Sequence, residues 1–147
     1  MKWMIFIFAF ALILISGCTS SEQTISTKSS QVYDNFCKSL SKCDTASVLV
    51  KTSDTNDVYS LSIQGILDSN CDLKLSLNTA GSQATKKLEG LDTTCTQKWH
   101  DDFKYLNNLV GDNCRTYVNN LIVNLALELK KDESLCSGNL RNVVKNE

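Results

Sequence analysis

Cys71-Asp72-Leu73-Lys74-Leu75-Ser76-Leu77-Asn78 alternates an apolar side chain with a polar one along its whole length. That period of two is the signature of a strand with one buried face and one wet face. Two further runs precede it. Ala46 to Thr52 is rich in β-formers around Val48 and Val50. In the next run Tyr59, Leu61, Ile63 and Leu67 alternate with Val58, Ser60, Ser62, Gln64 and Ile66. Turn-forming residues separate the runs at Thr52 to Asp57, at Asp68-Ser69-Asn70 and, after the third, at Gly81-Ser82-Gln83. A fourth strand around Lys87 to Cys95 then completes an antiparallel meander.

On both sides of this β region the period changes to that of a helix. Val32, Phe36, Leu40 and Cys43 recur three or four apart, which predicts a helix from Gln31 to Cys43. Downstream, Trp99, Phe103, Leu106, Val110, Cys114, Tyr117, Leu121, Leu125 and Leu129 keep the same spacing. Gly111-Asp112-Asn113 interrupts that stripe with a helix terminator followed by good N-caps. Two helices, 97–110 and 113–131, are therefore expected, although the unbroken phase also permits one long kinked helix. A last helix from Ser137 to Lys145 would turn Leu140, Val143 and Val144 inward. The expected fold is α+β: an N-terminal helix, a four-stranded antiparallel meander sheet, and C-terminal helices packed on one face.

The N-terminus reads differently from the rest. Lys2 is followed by an uninterrupted apolar run from Trp3 to Ile15, then by Ser16, Gly17 and Cys18. The run is too short for a spanning helix, which needs about 20 apolar residues, and its layout is that of an export signal. Ile15-Ser16-Gly17-Cys18 resembles the lipobox of prokaryotic lipoproteins: an aliphatic residue, a small residue, Gly or Ala, and Cys. The resemblance is confined to residues 1–18 and departs from the commonest form only in having Ile where Leu is more frequent. It implies that residues 1–17 are removed as a signal peptide and that Cys18 becomes a diacylglyceryl-modified N-terminus. Two acyl chains are enough for stable membrane attachment. Residues 18–30 would then be the lipidated cysteine and a Ser/Thr-rich flexible tether, and 31–147 a single domain.

Export also settles how the other six cysteines are read. Cys37, Cys43, Cys71, Cys95, Cys114 and Cys136 are even in number, and disulfides persist in extracytoplasmic compartments. Zinc is the competing reading, but structural zinc sites favour cysteine pairs with two to four intervening residues, and the nearest pair, Cys37 and Cys43, is more widely spaced. Six cysteines can pair in many ways, and spacing alone does not choose among them. Geometry narrows the field. A hairpin centred on Gln83 sets Leu75 against Leu91 and Cys71 against Cys95, and facing Cβ atoms about 4.5–5.5 Å apart are close to bridging distance. Cys71–Cys95 is the first-choice pair. Cys114 and Cys136 are poor partners, because the intervening helix rises about 25 Å and the few residues after it return at most about 18 Å. Cys37 and Cys43 lie about 240° apart around one helix. Both are expected to reach Cys114 and Cys136.

Composition excludes several functions. The 147-residue chain carries 15 basic and 16 acidic side chains, so no basic field exists to draw nucleic acid. His100 is the sole histidine, in Trp99-His100-Asp101-Asp102. Neighbouring helical positions diverge by about 100°, so that trio does not converge readily on a metal ion, and a solvated first turn is the simpler reading. No G-x-S-x-G, C-x-x-C, H-E-x-x-H or phosphate-binding glycine loop is present. No catalytic residue, cofactor or metal is therefore expected. Trp99, Phe103 and Tyr117 belong to the helical stripe and read as core, whereas Tyr105 falls off it. Lys86-Lys87 and Lys130-Lys131 read as solvated ends. The expectation is a lipid-anchored, extracytoplasmic, non-catalytic binding module of the cell envelope, held at the membrane through Cys18. Its ligand would be a protein or an envelope component, taken on the outer sheet face or the loops. The alternatives are an envelope hydrolase using two carboxylates and a purely structural envelope lipoprotein.

Overall fold

The computed structural model describes residues 21–98 and 101–146. Residues 1–17 and Cys18, and Trp99 and His100 with them, lie outside the described residues. The architecture is α+β. Helix α1 spans Ser21–Leu40, strands β1, β2 and β3 span Ala46–Lys51, Val58–Leu67 and Asn70–Thr79, and a short 3-10 turn occupies Lys86–Leu88. Strand β4 is Asp92–Lys98, a second 3-10 segment covers Asp101–Asn108, helix α2 is Asp112–Glu128, β5 is Cys136–Ser137 and helix α3 is Asn139–Lys145.

The sheet is antiparallel, with strand order β1-β2-β3-β4-β5. Its buried face carries Val48, Val50, Leu61, Ile63, Leu73, Leu75 and Leu77. Against them pack Phe36 and Leu40 of α1, Leu106, the α2 residues Val118, Leu121, Ile122 and Leu125, and Leu140 of α3. The period-two run Cys71 to Asn78 is thus the central strand, flanked on both sides, and its four apolar side chains are all buried. Truncating any one of the leucines costs about 2–5 kcal/mol.

Several boundaries differ from expectation, each for a local reason. Helix α1 begins at Ser21, inside the Ser/Thr segment expected to be extended. No Gly or Pro interrupts Ser21 to Ser30, so a helix nucleated downstream can propagate through it. Strand β4 lies later than Lys87–Cys95 because Lys86–Leu88 coils into the 3-10 turn and Gln97 and Lys98 pair with Cys71 and Asn70. Residues 101–108 form 3-10 turns rather than part of a helix 97–110. The stripe is two segments and not one kinked helix, with Gly111 at φ 59° opening α2. A fifth, two-residue strand completes the sheet, too short to carry any period of its own.

Three disulfides join the elements: Cys37–Cys114, Cys43–Cys71 and Cys95–Cys136. The expected Cys71–Cys95 bridge is corrected. Both cysteines do point to the buried face, but Cys95 stands opposite Leu73, and Cys71 opposite Gln97. The 3-10 turn in the connection moves the register by one buried-face position from a hairpin centred on Gln83. Cys95 instead meets Cys136, its direct cross-strand neighbour on β5. Cys71 takes Cys43, which the chain presents at φ 54° just past the end of α1. Of the two helix cysteines expected to reach the C-terminal pair, Cys37 reaches Cys114 and Cys43 does not reach Cys136. Such bridges belong to an oxidising, extracytoplasmic compartment. Among the described residues no helix is long and apolar enough to cross a membrane.

One polar cluster ties the loops at the end of the sheet. The Asp57 carboxylate is buried, with the residue 2 % exposed. It accepts hydrogen bonds from the Gly81 N–H at 2.7 Å, the Thr85 hydroxyl at 2.7 Å and the Thr55 hydroxyl at 2.5 Å. The β1–β2 turn is thereby fastened to the β3–β4 connection. The approach is close enough to require glycine, since a Cβ on Gly81 would sit 1.9 Å from the Thr55 carbonyl oxygen.

Candidate interaction surface

Alternation sends Ser47 and Leu49, Ser60, Ser62 and Gln64, Asp72, Lys74 and Ser76, and Thr94 and Thr96 to the face opposite the core, and none of them is buried. Lys74, Asp92 and Asp72 find their partners on this face itself. Lys74 Nζ lies 2.8 Å from Asp92 Oδ2, and the Thr96 hydroxyl donates to Asp72 Oδ1 at 2.7 Å. What this face offers is a flat field of small hydroxyls.

The edge at β1 has more shape. The Thr52 N–H donates to the Asp57 carbonyl at 2.9 Å, so Thr52 and Asp57 are a hydrogen-bonded pair. By alternation Val50–Tyr59 and Val48–Leu61 bond across the ladder, and Ser47, Leu49 and Lys51 do not. The main-chain groups of these three residues therefore face away from β2. The Tyr33 hydroxyl confirms the direction by donating to the Leu49 carbonyl at 3.4 Å. Among the described residues nothing else reaches those outward groups. Beside this free edge runs a groove of about 610 Å³, lined by Ser29, Val32, Tyr33, Leu49, Lys51 and Arg115 among others.

Its walls come from four elements, β2 contributing Ser60. Helix α1 supplies Val32 and Tyr33, β1 supplies Leu49, and α2 supplies Arg115, whose guanidinium lies over the Tyr33 ring at 5.3 Å from its centroid. Arg115 also donates to the Ser29 hydroxyl at 3.4 Å. Burial raises the Tyr33 pKa, and the nearby Arg115 charge offsets part of that rise. The entrance of α2 is fixed to α1 by the Gly111 N–H, which donates to Asp34 Oδ1 at 2.6 Å, while the Cys37–Cys114 bridge fixes the next turn. Two apolar side chains stand open on the groove, Val32 at 47 % and Leu49 at 61 % exposure.

Two carboxylates outside the groove are occupied in holding the fold. Glu89 accepts from the Ala80 N–H and from Lys86, and these bonds keep its carboxyl below the usual range. Glu128 is lowered likewise by Lys131 and by the Leu135 N–H. Among the described residues no carboxylate lines the β1 groove, the groove at Ile66, Lys104 and Asn107 or that at Phe103, Thr96 and Leu135. Among the described residues no group of three or more His, Cys, Asp or Glu side chains is placed to hold a metal ion. Phe103 and Tyr117 are half-buried, and the exposed Tyr105 meets the Tyr117 ring edge-to-face at 6.2 Å.

Leu49 is the residue that sequence reasoning missed. The signal was present: if Val48 and Val50 face the core, a leucine between them faces solvent. Comparison with known protein families, with curated proteins and with solved structures finds no match.

Proposed function

We propose that this protein is a lipid-anchored, extracytoplasmic binding module of the cell envelope, without catalytic activity of its own. The observation that carries the reading is a sheet that the described residues cover on one face only, with its β1 edge unpaired among them beside an apolar groove lined by no described carboxylate. An exposed edge is normally blunted or covered; one left open beside a shaped groove suits recognition. The three disulfides support an oxidising compartment, and the lipobox-like Ile15-Ser16-Gly17-Cys18 supports attachment through Cys18.

Two experiments test this. Labelling cells with a palmitate analogue should tag the wild-type protein and not Cys18→Ala; equal labelling would remove the anchor from the reading. Cross-linking in intact cells, then purification from detergent-solubilised envelope, should recover a stoichiometric partner. Recovery of none, together with turnover of a cell-wall polymer by the purified protein, would replace the binding module with the hydrolase.

A further inference from the structure

We infer that the β1 edge takes up an extended peptide segment of a partner protein as a sixth strand, with an acidic group seated between Lys51 and Arg115; this rests on the binding-module reading above. Three observations converge on it. The outward N–H and C=O groups of Ser47, Leu49 and Lys51 form half of a ladder, and β1 spans six residues, a length that a short extended peptide can match. An added strand draws affinity from main-chain bonds and specificity from alternate side chains. The one bond already made to this edge, from the Tyr33 hydroxyl to the Leu49 carbonyl, is long at 3.4 Å and exposed, so an incoming peptide N–H can replace it.

Side-chain chemistry selects the ligand. Val32, Tyr33 and Leu49 give the groove an apolar middle, and its charged lining residues, Lys51 and Arg115, are both cations. Lys51 makes no hydrogen bond or ion pair among the described residues, and Arg115, which lies over Tyr33 and donates to Ser29, is paired in charge with the exposed Asp112 loosely, at 3.5 Å. The matching segment is an extended run with apolar side chains at alternate positions and an Asp, Glu or C-terminal carboxylate at one end. A second copy of this chain fits less well, because its own β1 carries Lys51 and no acid.

The test is panning of a random linear decapeptide library on the oxidised domain, followed by NMR titration with the synthetic form of the most enriched peptide. Enriched sequences should carry an acidic residue beside alternating apolar ones, and amide shifts should centre on Ser47, Leu49, Lys51 and Tyr33. Leu49→Pro removes an outward N–H without touching the β1–β2 ladder, a position where an edge strand tolerates proline. It should weaken binding by about tenfold or more, the scale of a lost anchor, with the β2–β4 spectrum unchanged. Methylating alternate backbone nitrogens of the peptide should abolish binding to the unmodified protein, which keeps the test open if Leu49→Pro misfolds. Lys51→Glu should weaken an acidic peptide and strengthen its lysine-substituted counterpart.

Failure to enrich any peptide, shifts centred on Ser62, Lys74 and Thr94, or indifference to N-methylation would each overturn the proposal. So would a concentration-dependent dimer that Leu49→Pro abolishes. If the partner cross-linked in cells is retained equally by wild type and Leu49→Pro, the groove fails while the binding-module reading stands.

Discussion

Replacing Asp57 measures how much of the stability rests on one buried carboxylate. Its three donors are not equivalent once it is gone. The Thr85 hydroxyl can turn to the Ser82 carbonyl, already 3.2 Å away, and the Thr55 hydroxyl to Thr52 Oγ1 at 2.9 Å. The Gly81 N–H has no second acceptor among the described residues and faces only the emptied site. Losing charge-assisted bonds and leaving the part-buried Gly81 amide without its acceptor costs about 1–3 kcal/mol for each group affected, so Asp57→Ala should lose about 3 kcal/mol. For a domain of this size that lowers Tm by roughly 10 °C. Asp57→Asn should cost only about 1 kcal/mol. Its oxygen can keep the Gly81 and Thr85 bonds while its NH2 donates to Thr55, whose hydroxyl then turns to Thr52.

The pH dependence provides a second, independent reading. Burial by itself would raise the Asp57 pKa, but the bonds from Thr55, Gly81 and Thr85 outweigh it and hold the carboxyl below its ordinary value. A depressed folded pKa contributes stability that is complete above the unfolded value of about 4 and is lost as pH falls through the folded value. Chemical denaturation of wild type and Asp57→Asn from pH 7 to pH 2 should therefore show a gap that is constant down to about pH 5 and narrows below about pH 4. A gap that persists or widens in acid, or an Asp57→Ala cost under about 1 kcal/mol at pH 7, would refute the reasoning.

Peptide mapping without reduction should recover links 37–114, 43–71 and 95–136, and a 71–95 link would contradict the sheet register. Taken singly, with loops of 77, 28 and 41 residues, the bridges restrict the unfolded chain by about 4.5, 3.6 and 3.9 kcal/mol, so the Cys37→Ala/Cys114→Ala pair should lower the denaturation midpoint most. Gly138→Ala places a Cβ 2.7 Å from the Asp92 carbonyl oxygen at φ +138°; it should cost about 2 kcal/mol or more, seen as faster amide exchange in β4. Alkaline titration should show one tyrosine, removed by Tyr117→Phe, ionising near pH 12, because burial and the neighbouring Tyr105 raise Tyr117 to about 12. Since that pKa is raised, the associated stability is present below about pH 10 and is lost as pH rises beyond it.

What was legible in the chain is what repeats. The alternation from Cys71 to Asn78 and the stripe from Cys114 to Leu125 are readable because burial imposes a period on many residues at once. Ser21 to Ser30 has no such period, so its helical state depends on continuity with the turns that follow. Strand β5 is Cys136–Ser137 alone, and its pairing with β4 follows from tertiary approach at Gly138 rather than from any local preference. The disulfide pattern turned on one register step, set by a 3-10 turn at Lys86–Leu88 whose residues carry no strong signal for it. The candidate site was half legible. An uncovered sheet face was expected from alternation, whereas the groove needs Tyr33, Leu49 and Arg115, far apart in sequence, to meet.

The placement of the three bridges also determines how the domain responds to mechanical load. A pull on the chain upstream of α1 can unwind that helix only as far as Cys37, because Cys37 hands the force to α2 and Cys43 hands it to β3, the central strand. Past those two points the load is shared between the helical layer and the sheet, and the remaining bridge clips the last short strand to β4. Drag on the domain from its surroundings would be borne by covalent bonds rather than by the packing of one amphipathic helix. The turns of α1 before Cys37 lack such a covalent hold and rest on non-covalent contacts alone.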